Sequence, residues 1–215
     1  MAKLYFNYGA MSAGKTIEVI TTAYKYNSRG MKALVVKPSV DTKGGNLVTS
    51  RIGMSKKVDI LLKPEDSLFK YLKNHNDITC LVIDEAQFLT EMQVLELVII
   101  TKDWNIPVIC YGLKVDFKGN LFKGSEALIR YADSLNELVA ICDCGKKARF
   151  NARKVNGEYV YDGEQVLIGA DESYDPLCET CFLNKVLIPH SKDFQKILKR
   201  WENEKNYIFN YYVFI

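Results

Sequence analysis

The stretch Gly9-Ala10-Met11-Ser12-Ala13-Gly14-Lys15-Thr16 has the form G-x-x-x-x-G-K-T. Before it, Leu4, Phe6 and Tyr8 alternate as in a short strand; after it, Ile17, Ile20, Ala23 and Tyr24 recur at helical spacing. Strand, glycine loop and helix together form the context in which this string cradles a phosphate. The loop's backbone N–H groups and the positive end of the helix converge on one point. Lys15 is placed to reach the outer phosphates of a nucleoside triphosphate, and the Thr16 hydroxyl to ligate magnesium. The competing reading is an ordinary tight turn before a helix, and the flanking periodicities count against it. The loop alone does not say whether the phosphate is hydrolysed, used for motion or transferred.

The rest of the chain narrows the class. Its 215 residues suit one sizeable domain with a small appendage. A formal charge of +3 is too small to argue for nucleic acid or an anionic membrane as partner. Apart from Lys196, Lys199 and Arg200, the positive charge is spread out. No apolar run approaches the ~20 residues that span a bilayer, and the first residues lack a signal peptide's apolar core. A cytoplasmic location is therefore the expectation. There the six cysteines stay reduced, and clustered ones point to metal rather than disulfides.

Strand-like and helix-like segments alternate through the first two-thirds. Gly30 stops the helix that follows the loop, and an apolar strand runs from Met31 to Val36. Residues Val40 to Met54 are polar and glycine-containing, hence a loop. A strand is expected over Val58 to Leu62, a helix over Pro64 to Leu72 and a strand over Ile78 to Ile83. Thr90 and Gln93 have capping-box spacing and open a helix through Ile100. A strand over Ile106 to Tyr111, a helix over Ser125 to Tyr131 and a strand over Leu135 to Ile141 follow. Nearly continuous apolar strands separated by helices predict an α/β fold, a P-loop NTPase-like parallel sheet flanked by helices. Strand order is not readable from this pattern. From Cys142 glycine, charge and cysteine dominate. The expected division is 1–141 for the nucleotide-binding domain, 142–190 for a small zinc-binding lasso domain, and 191–215 for a helix capped by Ser191 and an aromatic tail, Tyr207 to Ile215.

Leu81-Val82-Ile83-Asp84-Glu85 is an apolar strand ending in two acids. In a P-loop protein an Asp at such a strand end holds magnesium, directly or through water. Many strands also simply end at a polar turn. The second acid, Glu85, is the candidate general base for whatever attacks the γ-phosphate. Cys142 and Cys144, with Cys178 and Cys181, form two close pairs separated by 33 residues. Four thiolates can close a tetrahedral structural zinc site. Cys80 and Cys110 lie inside expected strands and read as small core residues.

Taken together, these segments resemble the thymidine kinase family with a P-loop and a zinc ribbon. The resemblance runs over roughly residues 1 to 185. It is carried by Gly9 to Thr16, Asp84-Glu85-Ala86-Gln87-Phe88, Tyr111 to Gly119, Leu121 to Ser125, the Cys142/Cys144 pair with Gly145, and Ile168-Gly169-Ala170 leading to Tyr174 and Cys178. The C-x-C first pair is similar to one bacterial branch of the family. Ala13 departs from a common serine, and Cys181 from a histidine frequent in that branch.

The resemblance implies transfer of the γ-phosphate of ATP to the 5′-hydroxyl of thymidine, and of deoxyuridine, in nucleotide salvage for DNA synthesis. It implies that residues 9–16 and 84–87 bind ATP, that Thr16 and Asp84 serve magnesium, and that Glu85 takes the 5′-hydroxyl proton. Phe117 would stack on the base, with Leu113 and Phe122 beside it, and Met11 would lie near the thymine methyl. Main-chain groups near Leu167 and Gly169 would read the base edge, with Tyr174 closing the pocket. Zinc on the four cysteines would pin the flap. A homotetramer and feedback inhibition by thymidine triphosphate are implied as well.

Bland readings stand beside several of these. Phe117 and Phe122 also suit core packing, and Tyr174 suits a cover over the zinc knuckle. Asp41, Thr42, Ser50 and Arg51 suit either a phosphate-side cluster or a solvated loop. A zinc-ribbon P-loop ATPase acting on nucleic acid is the alternative function, since Asp-Glu-Ala-Gln resembles the acidic box of helicases.

Overall fold

Leu34-Val35-Val36 and Leu81-Val82-Ile83 are unbroken apolar runs because the sheet that holds them is covered on both faces. The structure is a computed structural model that describes residues 1–41, 45–73, 77–165 and 172–212. Its central sheet contains β1 (Leu4–Tyr8), β2 (Lys32–Pro38), β5 (Ile60–Leu62), β6 (Ile78–Ile83), β7 (Val108–Gly112) and β8 (Ser134–Glu137). The strand order is β5-β2-β6-β7-β1-β8, and every pairing is parallel. Between β2 and β5 lies a hairpin of β3 (Leu47–Thr49) and β4 (Ser55–Lys57).

Alternate residues of each run enter different cores. Leu34, Val36, Leu81 and Ile83 face α2 (Leu68–Leu72), α3 (Glu91–Lys102) and α4 (Lys123–Tyr131), which supply Leu68, Val94, Leu97, Ile100 and Leu128. Ala33, Val35, Cys80 and Val82 face α1 (Lys15–Asn27), which supplies Val19, Ile20 and Ala23. Cys80 and Cys110 are fully buried in these two cores, as small apolar side chains would be.

In the second half of the chain, β9 (Ala140–Ile141) pairs with β10 (Lys147–Ala148). There β11 (Phe150–Val155) lies between β12 (Glu158–Val160) and β13 (Glu172–Leu177). α5 (Glu179–Phe182), a π turn and α6 (Ile188–His190) follow, and then α7 (Lys192–Tyr212). A third apolar cluster joins Ala140, Cys142, Ala152, Leu177, Cys178 and Phe182, and it also takes in Ala10 of the glycine loop.

Several element boundaries differ from the sequence expectation, each for a local reason. Asp59 places its carboxylate on the Val35 N–H at 2.7 Å, a ladder position, so β5 starts at Ile60 rather than Val58. Asp66 accepts from Lys63 N–H and from the Tyr71 hydroxyl, which holds 63–66 in a turn and leaves the helix to begin at Leu68. The expected loop over 40–54 contains β3. The expected strand 135–141 is split, because Leu138 donates its N–H to Tyr8 O while β9 turns away to pair with β10. The last helix runs to Tyr212, into the expected aromatic tail, and Ser191 caps it by accepting from the Phe194 N–H. Thr90 and Gln93 form the expected reciprocal capping box.

Candidate active site

Because the sheet is parallel, the C-terminal ends of β1, β2, β6 and β7 share one edge, where ligands bind in open α/β sheets. The glycine loop follows β1, Lys37 lies near the end of β2 and Asp41 beyond it, Asp84-Glu85 follow β6, and Leu113 follows Gly112, the last residue of β7. A cleft of about 670 Å³ opens there.

The loop's geometry suits an anion. Ser12 and Gly14 take positive φ, 66° and 78°, and Gly14 is the N-cap of α1, so the first amides of that helix face the cleft. Met11, Ser12, Gly14, Lys15 and Thr16 line it. Gly9, Ala10 and Ala13 do not. Gly9 packs so closely on Leu138 that a Cβ would lie 2.8 Å from the Leu138 carbonyl. Ala10 is buried in the third cluster, with Ala13 against it. Lys15 is buried and donates Nζ to the carbonyls of Gly9 at 3.0 Å and Ala10 at 2.9 Å. Burial lowers its pKa, while the nearby Glu85 and Asp84 oppose that shift.

Asp84 is buried and curls back to accept from the Glu85 N–H at 3.0 Å. Glu85 adopts φ 50°, a left-handed backbone that few residues other than glycine take, and both carboxylates line the cleft. Burial, and then the adjoining Glu85, push the Asp84 pKa up to about 7. A divalent cation would favour the ionised form instead. Lys37, 2% exposed, pairs with Asp41 at 2.9 Å on the same side of the cleft. Arg51 donates to the Ser12 hydroxyl at 2.6 Å. Asp41, Ser50 and Arg51 therefore belong to the cleft rim; Thr42 lies outside the described residues.

Ala86 turns its side chain into the main core, whereas Gln87 lines the cleft, donating to Glu85 and accepting from the Leu113 N–H at 3.0 Å. Through Gln87 the β6 and β7 ends are tied together.

The far wall of the cleft is apolar. Leu113, Phe117, Phe122 and Tyr174 line it. Phe122 stands edge-on to Phe88 at 5.8 Å. The Asp116 carboxylate accepts from Lys118 N–H and Asn120 N–H, both at 2.9 Å, and fixes the turn that carries Phe117. Leu167 and Gly169 lie outside the described residues.

Besides Lys37, three contributors escaped the sequence reading. Asn151 accepts from the Met11 N–H at 2.6 Å. Gln165 donates Nε2 to Asp116 at 3.0 Å. Arg153, 1% exposed, stacks its guanidinium 3.7 Å from the Phe117 ring centre. An asparagine, a glutamine and an arginine in a polar stretch carry no local signal of burial.

Cys142, Cys144, Cys178 and Cys181 bring their sulfurs within 4.8 Å of one another. Zn–S bonds of ~2.3 Å in a tetrahedron place sulfurs ~3.8 Å apart, so the four fit zinc. Gly145 at φ 83° closes the first knuckle, its N–H on the Cys142 carbonyl. Cys178 is the N-cap of α5, which carries Cys181.

A parallel sheet with a glycine loop, a lysine and two carboxylates at one edge, and an aromatic wall facing them, defines a P-loop phosphotransferase. The family model described as Thymidine kinase matches residues 2–182, and the chain belongs to that family. It is 46% identical over 190 residues to a thymidine kinase of Mannheimia succiniciproducens, covering 86% of this chain and 97% of that one. Over 189 residues it is 46% identical to a thymidine kinase of Lactobacillus acidophilus, covering 83% of this chain and 94% of the relative. A thymidine kinase of Legionella pneumophila subsp. pneumophila is 43% identical over 205 residues, 91% of this chain and 98% of its own.

Proposed function

We propose that this chain transfers the γ-phosphate of ATP to the 5′-hydroxyl of thymidine, giving dTMP and ADP, and that it accepts deoxyuridine too. The observation that carries this reading is one cleft lined by the glycine loop, two carboxylates and several aromatic side chains, in a chain of the thymidine kinase family. The family match over residues 2–182 does not favour an ATPase that acts on nucleic acid.

Residues 9–16 and 84–87 hold the triphosphate. Lys15 exchanges the Gly9 and Ala10 carbonyls for phosphate oxygens. Glu85 takes the 5′-hydroxyl proton as the oxygen attacks Pγ. The new O5′–Pγ bond forms while the bond from Pγ to the bridging oxygen breaks, and that oxygen leaves on ADP. Thr16 and Asp84 hold magnesium, which neutralises charge on the phosphates when bound. Positioning and charge neutralisation supply most of the acceleration in such a step. Phe117 stacks on the base between Leu113 and Phe122, Met11 meets the thymine methyl, Leu167 and Gly169 read the base edge, and Tyr174 closes over it. Zinc on the four cysteines is structural, since four thiolates leave no open position.

The same reading divides the chain at 1–141, 142–190 and 191–215. It includes a homotetramer, a cytoplasmic location and inhibition by thymidine triphosphate. Among the described residues no helix is long and apolar enough to cross a membrane. The test is thymidine-dependent ADP release. It should disappear in Glu85→Gln while ATP binding persists, and full activity in that variant would sink the assignment of the base.

A further inference from the structure

We propose that Arg153 is the positioning residue of the acceptor pocket, holding Phe117 and Tyr174 in place from behind. Phe117 and Tyr174 line the cleft; Arg153 does not. Its guanidinium lies 3.7 Å from the Phe117 ring centre, well inside the ~6 Å reach of a cation–π contact. Its Nε donates to the Tyr174 hydroxyl at 2.9 Å, and one terminal nitrogen reaches the Gln165 carbonyl at 3.4 Å. The inference rests on the reading of Phe117 as the platform for the base.

The chemistry argues that this is more than packing. An arginine stays charged in any protein environment, and burying that charge is costly unless it is met by partners. A leucine would fill a purely structural position without that cost. Here the charge is 1% exposed and reaches from β11 to three partners, Phe117, Gln165 and Tyr174. Gln165 continues the chain of contacts to the Asp116 carboxylate, one residue before Phe117. Gly163 takes φ 123°, and a Cβ there would stand 3.3 Å from an Arg153 terminal nitrogen, so the backbone leaves room for the guanidinium.

A planar cation pressed on the rear of the ring fixes its plane, and the Nε contact fixes the tyrosine. A base entering the cleft then meets walls already in place and loses less freedom on binding. The donor-side groups bond elsewhere: Lys15 donates to the Gly9 and Ala10 carbonyls, and Asp84 accepts from the Glu85 N–H.

The test compares Arg153→Met, Arg153→Lys, Tyr174→Phe and Phe117→Leu in the full chain. Readouts are the KM for thymidine, the KM for ATP, kcat, and thymidine affinity by calorimetry. Arg153→Met should raise the thymidine KM by about tenfold and leave the ATP KM within about twofold. Arg153→Lys keeps the charge but loses the planar stack and the Nε donor, so it should resemble Arg153→Met rather than the parent. Tyr174→Phe combined with Arg153→Lys should cost less than the sum of the two single changes. A merely structural arginine would lower stability and active fraction without separating the two KM values. If Phe117→Leu weakens thymidine binding and both Arg153 variants leave it unchanged, the role of Arg153 is overturned and the platform stands. If Phe117→Leu itself leaves thymidine binding unchanged, the platform reading fails and this inference with it. Should Arg153→Met not fold, Arg153→Lys and its cycle with Tyr174→Phe decide the question.

Discussion

Asn151 Oδ1 accepts the main-chain N–H of Met11 at 2.6 Å, joining β11 to the middle of the glycine loop across 140 positions of sequence. Met11 and Asn151 both line the cleft. The glycine loop is therefore shaped partly by a strand from the second half of the chain. Asn151→Leu keeps the volume and removes the acceptor. A part-buried donor left without a partner costs ~1–3 kcal/mol, so ATP affinity should fall by at least about fivefold. Calorimetric titration with ATP in the absence of nucleoside reads it, and unchanged ATP affinity would show that the loop holds its shape alone.

Loss of the metal should reach the same loop by another route. Ala10 shares an apolar cluster with Cys142 and Cys178, and Ala13 packs against it. Stripping zinc, or Cys178→Ser, should weaken ATP as well as thymidine binding, since the wall that supports the loop is loosened. Metal content by emission spectroscopy and separate titrations of the two substrates check this. ATP affinity that survives metal loss would confine the metal to the nucleoside side.

Helix α4 touches the acidic turn almost backbone to backbone. A Cβ on Gly124 would stand 2.6 Å from the Ala86 carbonyl and 2.7 Å from that of Leu89. No side chain is available to yield, so Gly124→Ala must move α4 or the turn that follows Glu85. Overpacking of this kind costs ~1–3 kcal/mol. Thermal unfolding should show the loss, with kcat reduced in the surviving enzyme because Glu85 shifts.

Asp133 ties the first strand to α3. It accepts from Lys102 Nζ at 2.6 Å and from the Leu4 N–H at 2.7 Å, and the lysine first, then the amide, hold its carboxyl below the ordinary range. Folding thus favours the ionised form. That contribution is complete above the unfolded value of ~4 and is lost as pH falls through the lower folded value. The Tm difference between the parent and Asp133→Asn should be constant near neutrality and shrink in acid. A difference that persists in acid would remove the ionised carboxylate from the account.

Much of the nucleotide side was legible in sequence because its demands are local. Gly14 needs a positive φ, α1 needs an apolar stripe, Thr90 needs Gln93 three residues later, and β6 needs apolar residues on both faces before Asp84. Each demand is met by near neighbours, so spacing reveals it. The same holds for the two cysteine pairs, whose sulfurs do gather. Misplaced boundaries came from side chains that capture backbone groups, Asp59 on Val35 and Asp66 on Lys63. Spacing does not show which backbone group a carboxylate will reach.

The sequence alone determined that a glycine loop before a helix, an acid pair, a parallel sheet and a four-thiol cluster exist. Tertiary structure decided the strand order that sets Asp84 facing Lys15, the tether from Asn151 to Met11, and the burial of Arg153 beneath Phe117. The physical reason is range. Glycine conformation, helical periodicity and capping act within a few residues, whereas a contact between positions 11 and 151 depends on how the strands are ordered. A polar side chain becomes part of a pocket only when the fold surrounds it with partners that offset its lost water.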